Sequence, residues 1–159
     1  MYRYFSYVLF LFAAVITISA QDDGLQKSSS KPQFNRLEYN VIDKSIVKSI
    51  DKFFNQLIKK NVREGFDGIL NNSVISLKRE EVDNLKKQTE RSIDIYGDIL
   101  SFEFVSAEQV TESYIRLRYL ALHSSYPMRW IFTYYRSPDK NWIVTNVKFD
   151  DLSEYFFSD

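Results

Sequence analysis

The sequence predicts an α+β fold in which N-terminal helices pack on the concave face of a curved, mainly four-stranded antiparallel sheet, giving a cone-like shape. Apolar residues recur every three or four positions over residues 41–97, which is the period of amphipathic helices. After Gly97 the period drops to two, and four β-rich segments follow one another with short turns. Such turns leave no room for crossover helices, so the strands form consecutive antiparallel hairpins. Helices first and a meander afterwards is an order typical of α+β domains.

The first 20 residues have the parts of a secretory signal peptide. Arg3 gives a positive start, residues 8–19 are an unbroken apolar run, and Ala20 supplies a small residue ahead of polar sequence. The apolar run is shorter than the ~20 residues that a spanning helix needs. We therefore predict an exported protein, periplasmic or secreted, that is soluble and has no membrane span after signal cleavage.

Composition excludes several classes of function. Removing the first 20 of the 159 residues leaves 139, a length that suits one domain. The chain has no cysteine, which excludes a disulfide framework and a thiolate metal site. Loss of Arg3 leaves 20 Lys and Arg against 21 Asp and Glu, a balance that argues against a nucleic-acid partner.

Three helices are predicted between a linker and the sheet. Residues 21–40 are polar, with a Ser triplet and a Pro, and they predict a flexible linker before a domain at 41–152 and a C-terminal tail at 153–159. Helix one spans residues 43–60 with Asp43 or Ser45 as its N-cap, helix two 61–70, and helix three ends at Gly97. A charged, solvated face is expected on helix three, made of Glu80, Glu81, Lys86, Lys87, Glu90 and Arg91.

Four strands are predicted at residues 99–105, 113–122, 128–135 and 141–149. Burying unpaired guanidinium groups costs far more than exposing rings, so the arginines of the second and third strands should face outward. The core face is then Ile115, Leu117 and Tyr119 beside Met128, Trp130, Phe132 and Tyr134. In the last strand, a four-residue loop would turn Ile143 and Val147 inward, whereas a five-residue loop would turn Trp142 and Val144 inward; the four-residue loop is favoured.

Four segments carry a resemblance to a known family: FFNQLIKKNVREGFDGIL, LKKQTERSIDIYG, RLRYLALH and PMRWIFTYYRSPDKNWIVTNVKFDD. Over residues 41–152 the chain resembles the nuclear-transport-factor-2-like (cystatin-like α+β) superfamily, and in particular its small exported bacterial domains of uncharacterised function. The resemblance implies a cone whose wide end holds a pocket. It implies a shape and no single function, because this fold hosts isomerases, dehydratases, hydrolases, transport adaptors and ligand-binding or assembly domains.

No catalytic, metal or cofactor site is predicted. The resemblance implies that enzymes of the superfamily hold an acid–base pair inside the cone, but the predicted core face carries no Asp or Glu. The one histidine, His123, is expected to be exposed beside a loop. A lone histidine without cysteine or an acidic cluster leaves nothing to hold a transition metal.

Two non-enzymatic functions therefore remain. In the first, the exported domain binds a small apolar ligand in its cone or acts as an accessory module; the pocket candidates are Phe54, Tyr96, Tyr119, Trp130, Phe132 and Tyr134. In the second, the cone is filled by side chains and the outer sheet face mediates protein interaction or homodimerisation; the interface candidates are Glu103, Arg116, Arg118, Arg129, Ile131 and Tyr135. Close packing of Phe53 and Phe54 on the sheet rings would favour the second.

Overall fold

A computed structural model describes residues 34–139 and 141–157, and it confirms the α+β fold class. The helices are α1 Lys44–Ile58, α2 Val62–Ile69 and α3 Arg79–Tyr96. The strands are β1 Asn35–Leu37, β2 Ile99–Thr111, β3 Tyr114–His123, β4 Pro127–Arg136 and β5 Trp142–Asp150. Three short 3₁₀ helices lie at Tyr39–Val41, Val74–Leu77 and Ser153–Phe157. Within the described residues, no helix is long and apolar enough to cross a membrane.

The sheet has five strands in the order β1-β2-β3-β4-β5, and each pair is antiparallel. The short first strand pairs Asn35 with Gln109 and Leu37 with Ala107. The linker prediction is therefore wrong at residues 35–37, because three residues are too few to display a period of two. The predicted signal peptide and the remaining linker up to residue 33 lie outside the described residues.

The ends of the helices follow local chemistry. Asp43 caps α1: its Oδ1 accepts hydrogen bonds from the Ser45 backbone N–H at 2.8 Å and from the Ser45 hydroxyl at 2.6 Å. Gly97 ends α3 with φ 84°, a left-handed conformation that favours glycine. A Cβ at Gly97 would also lie 1.8 Å from the Ser124 hydroxyl, so both the backbone and the space exclude a side chain there.

The predicted core face of the sheet is confirmed. All seven side chains are buried: Ile115, Leu117, Tyr119, Met128, Trp130, Phe132 and Tyr134. The helices cover this face, and α1 contributes Ile46, Ile50, Phe53, Phe54 and Leu57 from one side of its surface. The outward arginines thus identified the buried face, as expected from the cost of burying an unpaired guanidinium.

The favoured register of the last strand is wrong. Arg136 pairs with Trp142, which leaves the five-residue loop 137–141 between β4 and β5. Further along, the pairing shifts by one residue through a bulge, so that Val144 and Val147 are both buried. Both alternatives assumed unbroken alternation, whereas a bulge inserts one extra residue and returns the strand to the other phase.

The charged face predicted on α3 is wrong at one position. Lys86 is buried, and its Nζ donates a hydrogen bond to Asp67 Oδ1 at 2.7 Å. It follows Val82 by four residues and therefore lies on the same buried side of the helix. A lysine stem can pack on apolar surface while its ammonium meets a carboxylate, so its charge alone does not place it in solvent.

Candidate functional site

The interior of the cone is filled by aromatic side chains. Phe53 lies 5.3 Å from Trp130, and Phe54 lies 5.8 Å from both Phe132 and Tyr119, measured between ring centroids. These are the separations of rings in direct contact. Four of the six pocket candidates meet in this cluster, Phe54, Tyr119, Trp130 and Phe132, and a fifth, Tyr134, is buried in the same core; all five are at most 2% exposed.

The sixth pocket candidate, Tyr96, lies outside the cluster. Its hydroxyl donates a hydrogen bond to Asp151 Oδ2 at 2.6 Å, and its ring lies 5.5 Å from that of Tyr126. This hydrogen bond holds the phenolic proton and raises the pKa of Tyr96 above its ordinary value. Tyr96 therefore joins the end of α3 to the end of β5 and does not line the cone.

The prediction that His123 is exposed is wrong. The imidazole is buried, and its Nδ1–H donates to the Gly97 carbonyl oxygen across 2.7 Å. Burial lowers the pKa of His123, because the charged form loses its hydration. The imidazole also packs edge-on against the Tyr96 ring, with 6.3 Å between ring centroids, so His123 connects the end of β3 to the end of α3.

Three polar atoms of the buried core rings have no hydrogen-bond partner among the described residues: the hydroxyls of Tyr119 and Tyr134 and the Nε1 of Trp130. Burial raises the pKa of both tyrosines. The Ser49 hydroxyl is close enough to Tyr134 to oppose that rise, but the two groups do not meet hydrogen-bond geometry. The tyrosines would contact a ligand only if the surrounding rings moved apart.

A half-buried carboxylate on α1 is the closest approach to acid–base chemistry. Burial raises the pKa of Asp51, and the Asp51 charge adds to the burial that raises the pKa values of Tyr39 and Tyr119. In the described part of the chain, no hydrogen bond joins this carboxylate to either tyrosine, so proton transfer between them requires rearrangement. The sequence prediction missed Asp51 because it searched the strands alone, although Asp51 shares the inward side of α1 with Val47 and Phe54.

One half of the outer sheet face is covered by the chain itself. We call it the covered half; it comprises Arg118, Arg129 and their partners. Arg118 pairs with Glu108 at 2.6 Å, and Arg129 makes two hydrogen bonds to Asp150, at 3.0 and 2.9 Å. The Arg129 guanidinium also lies 5.7 Å from the Tyr155 ring and 5.8 Å from the Phe156 ring of the last 3₁₀ helix.

The other half of the outer face carries exposed rings. Tyr114 pairs with Tyr135 across β3 and β4, and Tyr135 pairs with Ile143 across β4 and β5. We call these three residues the tyrosine patch; Tyr114 and Tyr135 are 41% and 37% exposed. Arg116, also exposed, lies two positions along β3 from Tyr114 and on the same face.

The six interface candidates thus divide between different environments. Arg118 and Arg129 belong to the covered half, whereas Arg116 and Tyr135 lie in the exposed half. Ile131 is half-buried between Arg118 and Lys148 in the register of the sheet. Glu103 is exposed on β2 beside Leu120.

Among the described residues, no group of three His, Cys, Asp or Glu side chains is placed to hold a metal ion.

Comparison with protein-family models gives no match for this chain. Neither curated proteins nor solved structures match it. The resemblance to the nuclear-transport-factor-2-like superfamily therefore stays a prediction.

Proposed function

We propose that this protein is an exported, non-enzymatic interaction module that forms a homodimer through the tyrosine patch on its outer sheet face. The supporting observation is the packing of Phe53 and Phe54 against Trp130 and Phe132, which fills the cone where a small apolar ligand would bind. The filled cone favours assembly over ligand binding, and the exposed rings of the patch supply a surface for it.

Three features support a second copy as the occupant of the patch. Exposed tyrosines are among the residues that contribute most to protein interfaces once they are buried. Tyr114, Tyr135 and Ile143 run side by side across three strands, so a two-fold axis through Tyr135 would place each patch on its equivalent. The formal charge of the exported chain is also close to zero, so copies repel one another little at long range.

The proposal is tested by sedimentation equilibrium of the exported chain, residues 21–159, and of two matched variants. Tyr135→Asp places a charge in the patch and should weaken self-association about tenfold or more, ~1.4 kcal/mol. Tyr126→Asp is the control, because Tyr126 has a similar exposure of 39% but contacts Tyr96, away from the patch. A wild-type chain that stays monomeric at about 100 μM, or equal weakening by both substitutions, would contradict the proposed dimer.

A further inference from the structure

A second surface of the molecule has a different chemical character from the tyrosine patch. A cleft of about 300 Å³ lies between the end of α2, the 3₁₀ helix Val74–Leu77 and the first half of α3. Its lining includes the apolar side chains of Leu70 and Val82, both largely buried, beside polar residues of the loop that follows α2. Its walls carry two cations, Arg79 and Lys86, and two carboxylates, Asp67 and Asp83.

Lys86 is the feature of this cleft that stability does not explain. Its side chain is only 10% exposed, whereas that of its partner Asp67 is 61% exposed. The stem of Lys86 packs on apolar surface, but an ion pair with one member in solvent contributes little to stability, so the contact with Asp67 does not by itself require a lysine at this position. Lys86 lines the cleft, so a ligand there can reach its ammonium group.

The hydrogen bonds of Lys86 also leave capacity for a ligand. An ammonium group has three N–H donors. In residues 34–139 and 141–157, the only hydrogen-bond acceptor for Lys86 is Asp67 Oδ1, at 2.7 Å. A carboxylate entering the cleft would accept from the remaining donors and would have Arg79 as a second cation on the wall.

The charge balance of the cleft selects between ligand classes. A simple anion would face Asp67 and Asp83, and a simple cation would face Arg79 and Lys86. A ligand with both charges satisfies both pairs. The volume is at the lower end of the ~300–1,000 Å³ typical of ligand pockets, and Leu70 and Val82 offer contacts to one short aliphatic group. We propose that the cleft binds a small zwitterion, a free α-amino acid with an aliphatic side chain.

The test is a methyl NMR titration of the exported chain with three matched probes. Leucine carries both charges, 4-methylpentanoate lacks the ammonium, and 3-methylbutylamine lacks the carboxylate. We expect saturable shifts of the Leu70 and Val82 methyl signals with leucine, and at least about tenfold weaker binding of either analogue. No saturation with leucine up to about 10 mM, or equal affinity for leucine and 4-methylpentanoate, would overturn the proposal.

Variants locate the site and separate binding from folding. Lys86→Met keeps the apolar stem and should weaken leucine binding at least about tenfold, whereas Lys87→Met, one residue away and exposed, should leave it unchanged. Arg79 is exposed, so Arg79→Gln should fold, and it should also weaken leucine binding. This second variant tests the site if Lys86→Met does not fold. Equal effects of Lys86→Met and Lys87→Met would contradict the site, and so would full leucine binding by Arg79→Gln. The leucine titration is repeated on the Tyr135→Asp variant, in which the proposed dimer is weakened. Leucine binding that is unchanged in this variant does not depend on the dimer.

Discussion

Tyr134 and Tyr135 are adjacent in the chain, yet they belong to two different regions of the molecule. Tyr134 is 2% exposed inside the cone, whereas Tyr135 is 37% exposed on the outer face of the same strand. Alternation along β4 separates them, and the arginines of β3 and β4 decide which side is buried. The side of the strand on which an aromatic residue lies therefore decides whether its ring belongs to the core or to the surface. Only the surface rings can contact a partner.

The largest expected effect comes from opening the inner region. Phe53 contacts the rings of Phe54, Phe66, Trp130 and Phe132 at centroid distances of 5.2 to 5.6 Å. Phe53→Ala should lower the free energy of unfolding by about 3–5 kcal/mol, because it removes a buried ring and leaves a cavity. Urea denaturation at low protein concentration measures this loss.

The matched variant for Phe53→Ala lies on the outer face. Tyr135→Ala should change the stability of the monomer by no more than about 0.5–1 kcal/mol, because this ring is already partly in solvent. A loss below about 1 kcal/mol for Phe53→Ala would mean that the cone is loosely packed. The distinction between the two regions would then fail, and binding of an apolar ligand in the cone would become the better proposal.

A smaller effect distinguishes the two halves of the outer face. Deleting residues 153–159 removes the Tyr155 and Phe156 rings from Arg129 and should cost about 1–2 kcal/mol, since each contact of this kind contributes about 0.5–1 kcal/mol and Phe156 also loses buried apolar surface. Phe157→Ser is the control; at 93% exposure it should cost less than about 0.5 kcal/mol.

Sedimentation of the deleted chain then tests which half carries the dimer. If the tyrosine patch is the interface, the chain that lacks residues 153–159 should dimerise with a dissociation constant within about twofold of the wild-type value, because the deletion leaves the patch intact. A dimer that strengthens or disappears on deletion would instead assign the interface to the covered half.

Alternation and turn chemistry were enough to predict the layers, the buried sheet face and the end of α3 at Gly97, and they narrowed the N-cap of α1 to Asp43 or Ser45. The prediction from alternation failed at two strands. In β5 a bulge changes which residues face the core, and β1 is too short to show a period of two. Lys86 and His123 were misplaced because their burial depends on a carboxylate and a carbonyl that tertiary structure brings to them. Whether the cone is filled depends on the distance between α1 and the sheet, which no periodicity in the sequence specifies.

The smallest effects concern two carboxylates, Asp43 at the N-cap of α1 and Asp51 within α1, whose environments move their pKa values in opposite directions. Hydrogen bonds from Ser45 lower the pKa of Asp43, so this group stabilises the fold above its unfolded pKa of about 3.9 and loses that contribution as the pH falls through its folded pKa. Burial raises the pKa of Asp51, so its ionisation destabilises the fold once the pH exceeds the unfolded value.

Substitutions at these two positions should therefore have opposite signs at pH 7. Asp43→Ala should cost about 1 kcal/mol by removing the cap, and the loss should shrink below about pH 4; Asp43→Asn, which keeps an acceptor oxygen, should retain most of the stability. Asp51→Asn should give a gain smaller than the Asp43 loss at pH 7 and none near pH 3, where both states are protonated. Urea unfolding at the two pH values measures both. A loss from Asp51→Asn at pH 7 would mean that its carboxylate makes a stabilising contact with Tyr39 or Tyr119, and would reopen acid–base chemistry at the edge of the cone.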